Sequence, residues 1–107
     1  MNTLRYAIPS LLLMAMLPAA FAEDHLVMQK DKAFSAKALS IKTGESVTFR
    51  NEDEFFHNIF SLSDPAPFDL GAFGKGQTRK LVFDQPGHYE VECAIHPEMR
   101  MTVNVSK

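Results

Sequence analysis

The run Cys93-Ala94-Ile95-His96-Pro97-Glu98-Met99 sets a thiolate, an imidazole and a thioether within seven residues, and a second imidazole, His57, lies far upstream. Two imidazoles and one thiolate in a trigonal arrangement, with a weak axial thioether, are the donors of a blue-copper electron-transfer site. Imidazole binds both copper oxidation states. Thiolate supplies covalency and a route for the electron, and a distant thioether favours Cu(I) without imposing a new geometry on oxidation. The candidate ligands of one copper ion are therefore His57, Cys93, His96 and Met99.

Each donor also has a plainer reading. Cys93 is the only cysteine, and an isolated cysteine is often a buried, inert small hydrophobe; that reading leaves the neighbouring His96 and Met99 without a role. Sequence separation alone does not bring His57 near Cys93, and by itself His57 fits a hydrogen-bonded histidine at a strand edge equally well. Its position after the turn-like acidic stretch Asn51-Glu52-Asp53-Glu54, and before the apolar pair Ile59-Phe60, places it at the loop end of a strand. There it supplies the missing equatorial ligand.

The elements that position these donors start after a leader. Arg5 gives a short positive region, Ile8 to Leu17 is apolar apart from Pro9 and Ser10, and Pro18-Ala19-Ala20-Phe21-Ala22 ends in a small-x-small pattern. Residues 1–22 are read as a cleavable secretory signal and 23–107 as one domain of about 85 residues. About ten apolar residues fall short of the roughly 20 that span a bilayer, so no membrane anchor is expected. An exported chain with one unpaired cysteine needs protection for the thiol, which metal ligation provides. A bacterial periplasm is the expected location.

Of the 11 Lys and Arg residues, removal of the leader discards Arg5, leaving 10 against 13 Asp and Glu. That balance excludes a broad nucleic-acid-binding face. Neither repeats nor low-complexity tracts interrupt the chain.

Alternation of polar and apolar residues predicts an all-β domain. Ser46-Val47-Thr48-Phe49-Arg50 and His88-Tyr89-Glu90-Val91-Glu92-Cys93 alternate, and Thr43-Gly44, Asp64-Pro65, Gly74-Lys75-Gly76 and Pro86-Gly87 supply turns. About seven strands are expected, near 25–30, 36–41, 46–51, 55–61, 77–83, 87–93 and 100–105. One helical turn is allowed within 66–73. Strand parity puts Cys93 on the face of Tyr89 and Val91, and puts His88 with Glu90 and Glu92 as a solvated residue. Phe34, Phe49, Ile59, Leu81, Phe83, Tyr89, Val91, Val103 and Val105 read as core, Met28 and Met101 as packing residues. Phe68, Leu70 and Phe73 are candidates for an apolar patch near His96.

The chain resembles the plastocyanin-like cupredoxins, amicyanin and methylamine-utilisation-type small proteins among them, over nearly all of residues 23–107. Phe34-Ser35 and Ile41 to Asn51 resemble the N-terminal strands, and His57-Asn58 the first ligand pair. Phe83 with Pro86-Gly87 and Tyr89 resembles the hairpin before the ligand loop, and Cys93, His96 and Met99 the loop itself, with the short amicyanin-like spacing. The resemblance implies a cupredoxin-like Greek-key β-sandwich and a monomeric, non-enzymatic shuttle of single electrons between redox partner proteins. His96 is then the exit route for the electron. A copper chaperone or copper-resistance protein using the same ligands is the alternative.

Three features of this chain stand apart from that pattern. Ile95 replaces a proline, so its N–H is a candidate second donor to the Cys93 sulfur beside the backbone of Asn58. Glu98 replaces an aromatic residue, and reads either as a charge that favours Cu(II) or as a solvated loop residue. Cleavage after Ala22 would also leave Glu23-Asp24-His25 at the amino terminus, where the amine, two amides and the imidazole form a square-planar set for a second Cu(II).

Overall fold

The computed structural model describes residues 22–107, and the expected leader lies outside them apart from Ala22. Among the described residues nine strands form in chain order: β1 Asp24–Lys30, β2 Ala33–Phe34, β3 Ala38–Lys42, β4 Ser46–Asn51, β5 His57–Ser61, β6 Phe68–Phe73, β7 Thr78–Val82, β8 Gly87–Glu92 and β9 Arg100–Ser106. They make a four-stranded sheet in the order β2-β1-β4-β7 and a five-stranded sheet in the order β3-β9-β8-β5-β6. The β1–β4 and β3–β9 pairs are parallel and the others antiparallel.

The sheets face one another because their strands alternate. Val47 and Phe49 of β4 and Val27 of β1 are buried against Ile59 of β5, Tyr89 and Val91 of β8, and Met101, Val103 and Val105 of β9. Seven of the nine expected core residues are buried in this cluster, and Phe34 and Leu81 pack half-buried against it. Met101 belongs to the core, as its packing reading requires.

Two strands exceed the expected seven. The two-residue β2 pairs with β1 across a turn in which Asp31 and Lys32 take φ of 53° and 57°, a hairpin geometry ordinarily signalled by Asn-Gly. Residues 68–73 form β6 rather than a helical turn. Between Ala72 and Asp69 two residues of β6 stand opposite the single Ile59 of β5, and Gly71 takes φ of 75° at this bulge. The extra residue breaks the period-2 pattern by which a strand is read.

The expected patch of Phe68, Leu70 and Phe73 beside His96 is not formed. Phe73 is fully buried in the core, Leu70 packs half-buried against it, and Phe68 stacks edge-on against Phe83 at 5.8 Å. β6 is the edge strand of the five-stranded sheet, and its bulge brings Phe73 onto the same core-facing side as Phe68 and Leu70.

Candidate metal centre

Strand parity and one loop bring the donors together. His57 opens β5 on the same face as the core residue Ile59, and Cys93 follows β8 in phase with Tyr89 and Val91; His57 is fully buried and Cys93 nearly so. The Cys93 N–H donates to the Met99 carbonyl at 3.4 Å, and the Met99 N–H donates to the His96 carbonyl at 2.9 Å. These bonds close the 93–99 loop with Met99 buried at its end and His96 half-buried.

The Cys93 Sγ lies 3.6 Å from His57 Nδ1 and 4.0 Å from His96 Nδ1, and the two Nδ1 atoms are 3.2 Å apart. With metal–nitrogen bonds of about 2.0 Å and a metal–sulfur bond of about 2.3 Å, a trigonal N₂S set has edges of about 3.5 and about 3.7 Å. The three donors thus already sit at the separations a trigonal ion requires. Three soft-to-borderline donors, with a thioether at the end of the same loop, match the copper preference.

The groups behind the donors are equally organised. His57 Nε2 is 2.7 Å from Asp53 Oδ2, so Nδ1 is the nitrogen left to face Cys93. Burial alone would push the Asp53 carboxyl up, but hydrogen bonds from His57 and from the N–H groups of Asp31 and Lys32 outweigh it and hold the group below the ordinary carboxylate range. The strained β1–β2 turn therefore presents two amides to Asp53, which in turn holds the His57 ring. Asn51 folds the intervening segment: its Nδ2 donates to the carbonyls of Phe55 and Phe73, and its Oδ1 accepts from the Asp53 N–H.

Asn58 clasps the ligand loop from the other side. Its N–H reaches Cys93 Sγ at 3.5 Å, as expected from the sequence, and its Oδ1 accepts the Ala94 N–H at 2.7 Å. Ile95 does not add a second bond: among the described residues the backbone donor to Sγ is Asn58. The Asn58 clasp and the His96–Met99 turn fix the backbone on both sides of Ile95. An Ile95→Pro substitution removes no donor from the sulfur.

Asp53 and Phe55 are the site residues that sequence reading missed. Phe55 packs against both imidazoles, its ring centre 5.2 Å from that of His57 and 5.0 Å from that of His96, which are 4.9 Å from each other. Asp53 had a signal, an acid four residues before a candidate ligand, but it was hidden in a run of exposed-looking acids. Glu98 is solvent-exposed, and His88 is exposed and hydrogen-bonded to Asn104 Oδ1 at 2.5 Å, in keeping with its solvated reading.

A two-sheet sandwich carrying a His, Cys, His, Met constellation at one end defines a cupredoxin with a type 1 copper centre. Residues 24–106 match the family model for copper binding proteins of the plastocyanin/azurin family, and the chain belongs to that family. It is 30% identical over 91 residues to the methylamine utilization protein MauL of Methylorubrum extorquens, covering 84% of this chain and 79% of that protein. It is also 30% identical to amicyanin-alpha of the same organism, over 82% of this chain and 74% of the relative. The reduced Cu(I) form, at pH 4, of a proline-to-glycine mutant of amicyanin superposes with a TM-score of 0.72 at 27% identity, over 78% of this chain and 82% of that one. A Cu-containing nitrite reductase from Thermus scotoductus matches with a TM-score of 0.74 and 29% identity, but this chain spans only 22% of it.

Proposed function

We propose that this protein is an exported one-electron carrier, with His57, Cys93 and His96 as equatorial copper ligands and Met99 as the axial one. The observation that carries this reading is the donor triangle, whose edges of 3.2, 3.6 and 4.0 Å fit a trigonal ion. Copper bound there supplies a Cu(II)/Cu(I) couple. The protein's part is to keep the donors where both oxidation states accept them. Asp53 fixes the His57 ring, the Asn58 clasp fixes the sulfur and the Ala94 amide, and the Met99–His96 turn fixes the loop. Little motion then accompanies transfer, and the barrier stays low.

His96 is the exit. It is the half-buried ligand, while His57, Cys93 and Met99 are shut in. Exposed apolar side chains lie beside it: Ile95 adjacent in the loop and Phe55 against its ring, with 49% and 39% exposure. Such a rim suits brief, weakly charged contacts with redox partners. Export to a periplasm is supported by the leader pattern of residues 1–22. The relatives named for amicyanin and methylamine utilisation support a carrier working between partners rather than an enzyme with a turnover substrate.

Voltammetry of the copper-loaded protein tests the reading. A reversible one-electron wave, with copper retained through repeated cycles in the presence of a competing chelator, is expected. Loss of the metal to the chelator on each reduction would instead favour a copper-delivering protein.

A further inference from the structure

At the end of the sandwich remote from the donor triangle, a second set of ligating side chains converges. Glu23, His25 and Glu45 bring one donor atom each within 4.8 Å of one another. β1 and β4 run parallel in the register Asp24 with Ser46 and His25 with Val47, so the residue leading into β4, Glu45, stands beside the start of β1. His25 Nε2 is 3.0 Å from Glu45 Oε1, and both side chains are only 18% exposed. Glu45 is oriented independently: its Oε1 also accepts the Lys42 N–H at 3.0 Å. These two bonds, that from Lys42 first, hold its carboxyl below the ordinary range. An open cleft of about 300 Å³, lined by the three residues with Lys42 and Ser106, leaves room for an ion and its waters.

We propose that Glu23, His25 and Glu45 form a second cation site, selective for a borderline divalent transition ion of the Zn²⁺ class. One imidazole and two carboxylates make a mixed N/O set that suits such ions, whereas Ca²⁺ and Mg²⁺ prefer oxygen alone. In a tetrahedral site with bonds of about 2.0 Å, donors stand about 3.3 Å apart. The His25–Glu45 pair is near that spacing, so the ion replaces the shared proton with little movement and Glu23 swings in as third ligand. The Lys42 N–H remains as the outer contact that aims Glu45. The Lys42 ammonium opposes the ion, and the two carboxylates exceed its charge. Five steps of β4, about 17 Å, separate this cluster from Asn51 and the donor triangle, so occupancy here leaves the copper ligands untouched. The site uses side chains alone, in contrast to a square-planar set built from the amino terminus: the pairing of β1 with β4 from Asp24 onward keeps this backbone extended.

The test is calorimetric titration of the oxidised, copper-loaded protein beginning at Glu23 with Zn²⁺, with the visible copper band recorded throughout. One further equivalent is expected to bind with the band unchanged, and Ca²⁺ is expected not to compete. His25→Gln and Glu45→Gln should each weaken Zn²⁺ binding about tenfold or more, while His88→Gln, at the exposed His88–Glu90 pair, should leave it as it was. In the reduced protein the His25 ring resonances should shift at that same equivalent, which reads the site without any variant. Adding one alanine ahead of Glu23 should preserve binding. Absence of the further equivalent, its persistence in both ligand variants, an unmoved His25 ring, or its loss on adding the alanine would overturn the proposal.

Discussion

Asp53 illustrates how a single residue's environment sets what the site does. A buried carboxylate hydrogen-bonded to a ligand imidazole fixes the ring and places negative charge behind it. Asp53→Asn keeps an oxygen for Nε2 and removes the charge. Cu(II) affinity should fall about tenfold while Cu(I) affinity is little changed, and the reduction potential should therefore rise by about 59 mV. An unchanged or lower potential would mean that Asp53 acts on ring position alone. The four candidate ligands were legible because thiolate, imidazole and thioether at short spacing have few other uses. Asp53 was not, since burial of one acid among Glu52, Asp53 and Glu54 is decided by the distant Asp31–Lys32 turn, which no local pattern reveals. The Ile95 amide failed for a related reason: a residue's having an N–H does not say where the loop aims it.

Among the elements, the edges of the sandwich hold the interest. β6 closes one sheet and β7 the other, and Arg79 of β7 spans the gap. Its Nε donates to the Leu70 carbonyl at 3.2 Å and Nη2 to the Ala72 carbonyl at 3.2 Å, with the guanidinium 5.0 Å from the Phe73 ring centre. These carbonyls flank the Gly71 bulge. Arg79→Met should lower stability by about 1–2 kcal/mol in denaturant titration, and a loss within error would make the clip incidental. At the β1–β4 pair, the Asp24 carboxylate accepts the Ser46 hydroxyl at 2.6 Å and the Thr48 hydroxyl at 2.9 Å, and the Ser46 bond chiefly holds it below its ordinary 3.8. A carboxyl depressed in the folded state stabilises above its unfolded pKa, and that stabilisation is lost as pH falls through the folded value. Stability should therefore decline below about pH 3.8, less steeply in Asp24→Asn; identical acid limbs would remove Asp24 from the account. Strands with clean alternation, β4, β8 and β9, were readable from sequence within one or two residues. β2 and β6 were not: one is two residues long, and the other is broken by a bulge that alternation cannot register.

At the scale of the whole molecule, the proposed carrier function rests on two features: buried candidate ligands on the inside, and one half-buried imidazole with an apolar rim. A rim of Phe55 and Ile95, flanked by Lys32 over the Phe55 ring and by the exposed Glu98, predicts electron self-exchange with only a modest dependence on ionic strength, because charges of both signs meet when two copies touch there. Ile95→Glu should slow self-exchange, measured by line broadening in mixtures of reduced and oxidised protein, and should steepen its salt dependence. A rate unaffected by that charge would move the exit elsewhere. The all-β sandwich was legible as a whole from turn spacing and alternation. The apolar rim was misassigned to Phe68, Leu70 and Phe73, since exposure depends on which strands become edges and which way each one faces.

The central claim, that the donor triangle is a type 1 copper centre, is tested most directly by titrating the protein with Cu(II) and following visible absorption, with Cys93→Ser alongside. An intense thiolate-to-copper charge-transfer band that saturates at one equivalent, and is absent from Cys93→Ser, is the predicted result. Tight Cu(II) binding with only weak absorption, the same in both proteins, would contradict it and place the metal away from Cys93.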